Sequence, residues 1–152
     1  MDAKIVGKLR AETGAGVMDC KRALEEAKGD YDMAKKILAT TAEAIAKKKA
    51  ERETKHGIIE IYNHMGKIGV MLELACESDF VAKNPNFKEL AHKIGMQIAS
   101  MNPKNVDELL KQEFFADPAV TIQDYINTQI GQIKENIVVK RFIRFELGEE
   151  EK

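Results

Sequence analysis

Cysteine, long apolar runs and an excess of one charge are all scarce in this sequence, and each shortage removes a class of protein. Only Cys20 and Cys76 are present, with no C-x-x-C and no bridging framework, so they read as reduced thiols of a cytoplasmic protein. No apolar run approaches the roughly 20 residues that cross a bilayer. The start, Met1-Asp2-Ala3-Lys4-Ile5, lacks the charged-then-apolar layout of a signal peptide. The net charge is −1, with 13 Lys/Arg against 10 Asp/Glu in residues 1–56 and 11 against 15 thereafter. Neither half has the strongly basic face of a direct nucleic-acid binder, so a protein partner is expected.

Catalytic and metal-binding patterns are missing too. His56, His64 and His92 are scattered, with no H-E-x-x-H and no Cys/His spacing suited to zinc. Gly14-Ala15-Gly16 has neither the preceding strand nor the following lysine of a phosphate loop, and reads as a turn. The Lys47-Lys48-Lys49 run reads as a solvated helix face. No catalytic residue, cofactor or metal ligand is therefore assigned, and the chain reads as a non-enzyme. What is present is 44% apolar and 32% charged residues, an ordinary globular composition.

The hydrophobic period divides the chain. Asp2 can cap a first helix carrying Ile5, Val6 and Leu9, and Thr13-Gly14-Ala15-Gly16 breaks it. A second helix from Val17 turns Cys20, Ala23, Leu24 and Ala27 inward. Gly29-Asp30 stops it and caps a third, with Tyr31, Ala34, Ile37, Leu38 and Ile45 inside. Residues 44–55, "AIAKKKAERETK", have little apolar face and read as a solvated helical linker. From Gly57 the period becomes two, with Met65-Gly66 as a hairpin turn into a strand ending near Cys76. Pro85 opens a helix to about Met101, lined by Phe87, Leu90, Ala91, Ile94 and Ile98. After a polar connection Thr121 opens a last helix, and 136–147 should be a third strand.

The expected fold is α+β. A three-helix module (1–46) and a helical linker (47–56) precede an antiparallel-sheet core packed with helices (57–149), with an acidic tail at 150–152. One stretch resists this plain reading. "ACESDFVAKN" ends a strand with a polar cap, Ser78-Asp79, followed at once by Phe80. Taken alone, the pattern favours a capped short helix with Phe80 packed into the core.

Four blocks change that reading. "LRAETGAGVMDCKRALEEAKGD" (9–30), "ACESDFVAKN" (75–84), "FKELAHKIGMQIASMNP" (87–103) and "ENIVVKRFIRFELGE" (135–149) together resemble the elongation factor Ts family. They span nearly the whole chain in the family's order. The resemblance implies a guanine-nucleotide exchange factor acting on elongation factor Tu, in its GDP-bound and nucleotide-free states. It implies that the first three helices are a ubiquitin-associated-like docking module, with Val17, Met18 and Lys49 at partner-contacting positions. It implies too that Ser78-Asp79-Phe80-Val81 is a wedge, Phe80 entering between helices of the partner's G domain while Asp79 disturbs the Mg²⁺ site.

The chain departs from the family pattern in three places. It has Ser78 where the signature usually has Thr, which keeps a hydroxyl cap. It has one core where longer members have two, an arrangement in which short members pair, so a homodimer is expected. The long helical insertion usual before the last helix is missing after Pro103. The alternative to an exchange factor is a related partner-binding module that does not release nucleotide.

Overall fold

The computed structural model describes Asp2 to Glu150; Met1 and the last two residues of the expected acidic tail lie outside the described residues. The chain divides into two compact units, one of residues 1–51 with 124–135, the other of residues 52–123 with 136–152.

The first unit opens with α1 (Ala3–Thr13), α2 (Val17–Glu26) and α3 (Tyr31–Lys49). Asp2 and Asp30 cap α1 and α3, accepting from the amides of Lys4 and Met33. The inward faces supply a small core of Val6, Leu9, Cys20, Ala23, Leu24, Ala34 and Leu38, with Tyr31, Ile37 and Ala27 packed against it. Ile5, placed inward by its spacing, is exposed instead. Helix α3 runs on through Lys49, so only the segment after it is non-helical before the sheet begins.

The sequence division assigned residues 57–149 to one core domain, whereas Asp124–Glu135 groups with the N-terminal helices. This segment is most of α7 (Ile122–Ile133). Gly131 lies against Ile45, and Gln132 lies so close to Gly14 that any side chain there would meet its amide. Three helices bury little apolar surface, and α7 adds contacts to this unit at Ile45 and Gly14.

In the second unit, β1 (His56–His64), β2 (Ile68–Cys76) and β5 (Ile137–Glu146) form an antiparallel sheet in the order β1-β2-β5. Met65 and Gly66 take φ of 55° and 70°, a pair of positive values that a tight hairpin turn demands. The Asn63 side chain accepts from the Gly66 amide and secures the turn. Helix α5 (Pro85–Met101) lies on one face of the sheet, with Gly95 against Tyr62 and Leu72. Its Phe87, Leu90, Ala91, Ile94 and Ile98 are buried, while Met101 at its end is exposed.

The stretch read as a polar connection has structure. It holds α6 (Val106–Lys111) and a hairpin of β3 (Glu113–Phe114) and β4 (Asp117–Thr121). Gln97 of α5, fully buried, pins this hairpin. Its amide nitrogen donates to the Glu113 carbonyl, and its oxygen accepts from the Phe115 amide. No helix among the described residues is long and apolar enough to cross a membrane.

Candidate functional site

The Ser78–Val81 segment sits between the most buried end of the sheet and the start of α5. Leu74, Ala75 and Cys76 are all buried, so β2 enters this point as a fixed rod. The Cys76 thiol donates to the Ser78 carbonyl at 3.2 Å. Ser78 stays extended (φ −126°, ψ 153°), and its hydroxyl accepts from the Val81 amide at 3.2 Å. These are the requirements of a helix N-cap. One turn of helix follows, α4 (Asp79–Ala82). Asn84 then caps α5, with Pro85 in its first turn.

A single turn between two caps fixes which side chains face inward. Val81 and Ala82 are buried; Asp79 and Phe80 point out. Phe80 is 82% exposed, which removes the reading of it as a core residue. The Asp79 carboxylate pairs with Lys83 at 2.9 Å. The hydrogen bond and charge of Lys83 hold the Asp79 carboxyl below the usual aspartate range, with His56 adding slightly. A shallow depression lined by Lys55, His56, Gly57 and Glu73 opens beside Asp79. The turn therefore presents an ionised acid and an unburied ring on a base with little freedom.

In the helical unit, Val17 and Met18 open α2 directly after Gly16, which offers no side-chain cap. Val17 is 40% and Met18 63% exposed. Lys49 is the last residue of α3 and half-buried. The structure thus sets Val17 beside Met18, and Ser78 to Val81 in one turn, while Lys49 stands on a separate element. Among the described residues, no group of three or more His, Cys, Asp or Glu side chains could hold a metal ion.

Two supporting residues escaped the sequence reading. Lys83 was detectable as the basic residue four positions after Asp79, the spacing of a helical ion pair. Glu77 was not. Its partners, Arg52 and Asn136, are far away in the chain.

The profile of the family described as Elongation factor TS matches residues 77–152. An elongation factor Ts of Fervidobacterium nodosum is 42% identical over 195 aligned positions, covering 98% of this chain and 99% of the relative. Those of Methylacidiphilum infernorum and Thermodesulfovibrio yellowstonii are 40% and 39% identical, covering 99% and 97% of this chain and 96% of each relative. The Methylacidiphilum alignment runs 194 positions against a chain of 152, so at least 42 positions of the relative have no counterpart here. With two-fifths identity sustained over nearly its full length, the chain belongs to the elongation factor Ts family.

Proposed function

We propose that this translation elongation factor is a guanine-nucleotide exchange factor, and that its α4 turn is the wedge that opens elongation factor Tu. The observation that carries the reading is the exposure of Phe80 on a capped, anchored turn. Full burial of such a side chain is worth roughly 1.5–3 kcal/mol, and at 82% exposure Phe80 forgoes most of it. A pocket between helices of the partner's G domain recovers that energy on binding. Val17 and Met18, with Lys49, supply the docking contacts of the helical unit.

The chemistry needs no covalent step by this chain. In the partner, Mg²⁺ and a phosphate-cradling backbone hold GDP electrostatically. Intrusion of Phe80 and Asp79 shifts that loop and disturbs the metal, so the largest attraction for GDP falls and the nucleotide leaves. The coupling is reciprocal: GDP weakens factor binding by the factor that the protein weakens GDP binding. Incoming GTP then displaces the protein, in the cytoplasm where the partner works.

Stopped-flow release of labelled GDP from elongation factor Tu tests the reading. Release should accelerate with protein concentration towards a plateau. Binding without acceleration would instead identify a partner-binding module lacking exchange activity.

A second copy of the chain is the proposed cover for the open sheet face. Ile61, Met71 and Ile143 form one row across β1, β2 and β5 on the face opposite α5, and all three are exposed. Ile59 and Phe145 extend the apolar surface in the neighbouring rows and are likewise exposed. Contiguous apolar surface of this kind marks an interaction site. Pairing two such faces would bring two cores together, as the tandem cores of longer members suggest.

A further inference from the structure

We infer that Glu77 is a positioning residue for the wedge, acting through its base rather than by touching the partner; this rests on the exchange reading above. Glu77 lies one residue past β2 and one before the Ser78 cap. Its carboxylate does two things at once. One oxygen accepts from the backbone amide of Asn136, and the other lies 3.7 Å from the Arg52 guanidinium. Asn136 closes the triangle, its side-chain amide donating to the Arg52 carbonyl at 3.0 Å.

The three corners have particular places in the chain. Arg52 is the first residue of the sheet unit after the N-terminal helices, and Asn136 is its first residue after the last helix. Two of the points where the chain enters this unit are therefore tied to the residue that introduces the wedge. Asn136 is 4% exposed, so its amide has little water to turn to if the carboxylate is lost. A carboxylate accepting a backbone N–H is among the stronger hydrogen bonds available.

The Cys76 thiol holds the Ser78 carbonyl from the strand side. Glu77, the residue before it, is anchored through its side chain on the side of Asn136 and Arg52. Between them they fix the base from which Asp79, paired with Lys83, and Phe80 project outward. A ring on a loose base would swing aside when pressed against the partner, whereas one on a fixed base enters it. Misplacement by about 1 Å costs up to about a hundredfold in rate when geometry carries the effect.

The test uses the full chain and elongation factor Tu loaded with labelled GDP. E77A should lower the plateau release rate about tenfold while the concentration for half-maximal rate changes less than about twofold. E77Q keeps an oxygen for the Asn136 amide and should recover at least half of the lost rate. In a Phe80→Ala background E77A should cost clearly less, because the ring is gone and only Asp79 is left to misplace; a purely structural weakening would lower both backgrounds alike. Equal losses in the two backgrounds, or an unchanged plateau for E77A, overturn the proposal. If E77A does not fold, E77D, too short to reach both partners, carries the same expectations. Normal release by the single variant Phe80→Ala would instead overturn the wedge assignment, and no acceleration by the wild-type chain would overturn the exchange reading itself, so the failures are distinguishable.

Discussion

The Lys83 ammonium lies 2.9 Å from the Asp79 carboxylate, one helical turn further along the chain and on the outward side of α4. Both side chains are largely exposed, so the pair is screened by water and adds little to stability. What it changes is the acid's charge state. Its partner lowers the Asp79 pKa, first by hydrogen bonding and then by charge. A depressed carboxylate pKa contributes stability above the unfolded aspartate value and loses it as pH falls through the folded one.

The expected consequence is local. In an NMR titration of the side-chain carboxyl carbons, Asp79 should titrate below the ordinary aspartate value. Lys83→Ala should move that midpoint upward without altering the melting temperature. A midpoint indifferent to Lys83 would show that the pair is not formed in solution.

Gly14 carries a separate constraint. Its φ is +71°, and an added Cβ would lie 1.8 Å from the Gln132 amide nitrogen. A non-glycine residue in this left-handed region costs about 1–2 kcal/mol, which for a chain of this size lowers Tm by about 2–8 °C. Gly14→Ala should show that loss. The Gln132 side chain ends in a movable amide, so adding Gln132→Ala should restore little. Full recovery in the double variant would place the cost in the contact rather than in the backbone.

Partner docking through the helical unit is best tested at Met18. Deleting the first 52 residues is a blunt instrument, because most of α7 would lose the helices it groups with. Met18 is 63% exposed, so Met18→Asp should leave folding intact. It should weaken binding to elongation factor Tu about tenfold, about 1.4 kcal/mol, with the plateau release rate little changed. Unaltered affinity by calorimetry would remove Val17 and Met18 from the docking surface.

Local chemistry was legible wherever a rule acts within one turn or one strand. Asp2, Asp30, Pro85 and Met65-Gly66 marked true starts and turns. The helical period of Phe87 to Ile98 identified a buried face. The signals failed where distant residues decide. Helix α6 and the β3-β4 hairpin are too short to show a period, and the hairpin is held by a buried glutamine from another helix. The apolar stripe of α7 showed that it covers something, but not what. Phe80 is the plainest case: an aromatic beside a cap reads as core, and its outward direction follows from Val81 and Ala82 taking the inward positions.

Self-association makes its own prediction. Light scattering at micromolar concentration should give twice the monomer mass of 17.1 kDa. Ile61 is 66% exposed, at the centre of the open sheet face, so Ile61→Lys should leave the fold intact and return the mass to that of one chain. A wild-type chain that scatters as a monomer sinks the idea at once.

Phe80 supplies the sharpest prediction. Phe80→Ala should slow GDP release from elongation factor Tu by at least an order of magnitude, about 1.4 kcal/mol of lost transition-state stabilisation. A core phenylalanine truncated to alanine would cost about 3–5 kcal/mol of folding stability. With Phe80 82% exposed, its loss should leave the melting temperature nearly unchanged. Asp79→Ala should also impair release, and more strongly with Mg²⁺ present than with the metal chelated, because its proposed action passes through the metal site. The two side chains serve one intrusion, so the double variant should lose less than the sum of the single losses. Thermal melting and release, measured on the same preparations, decide the matter. Lost exchange with intact melting supports the wedge, whereas lowered melting with normal exchange per folded molecule returns Phe80 to a structural role.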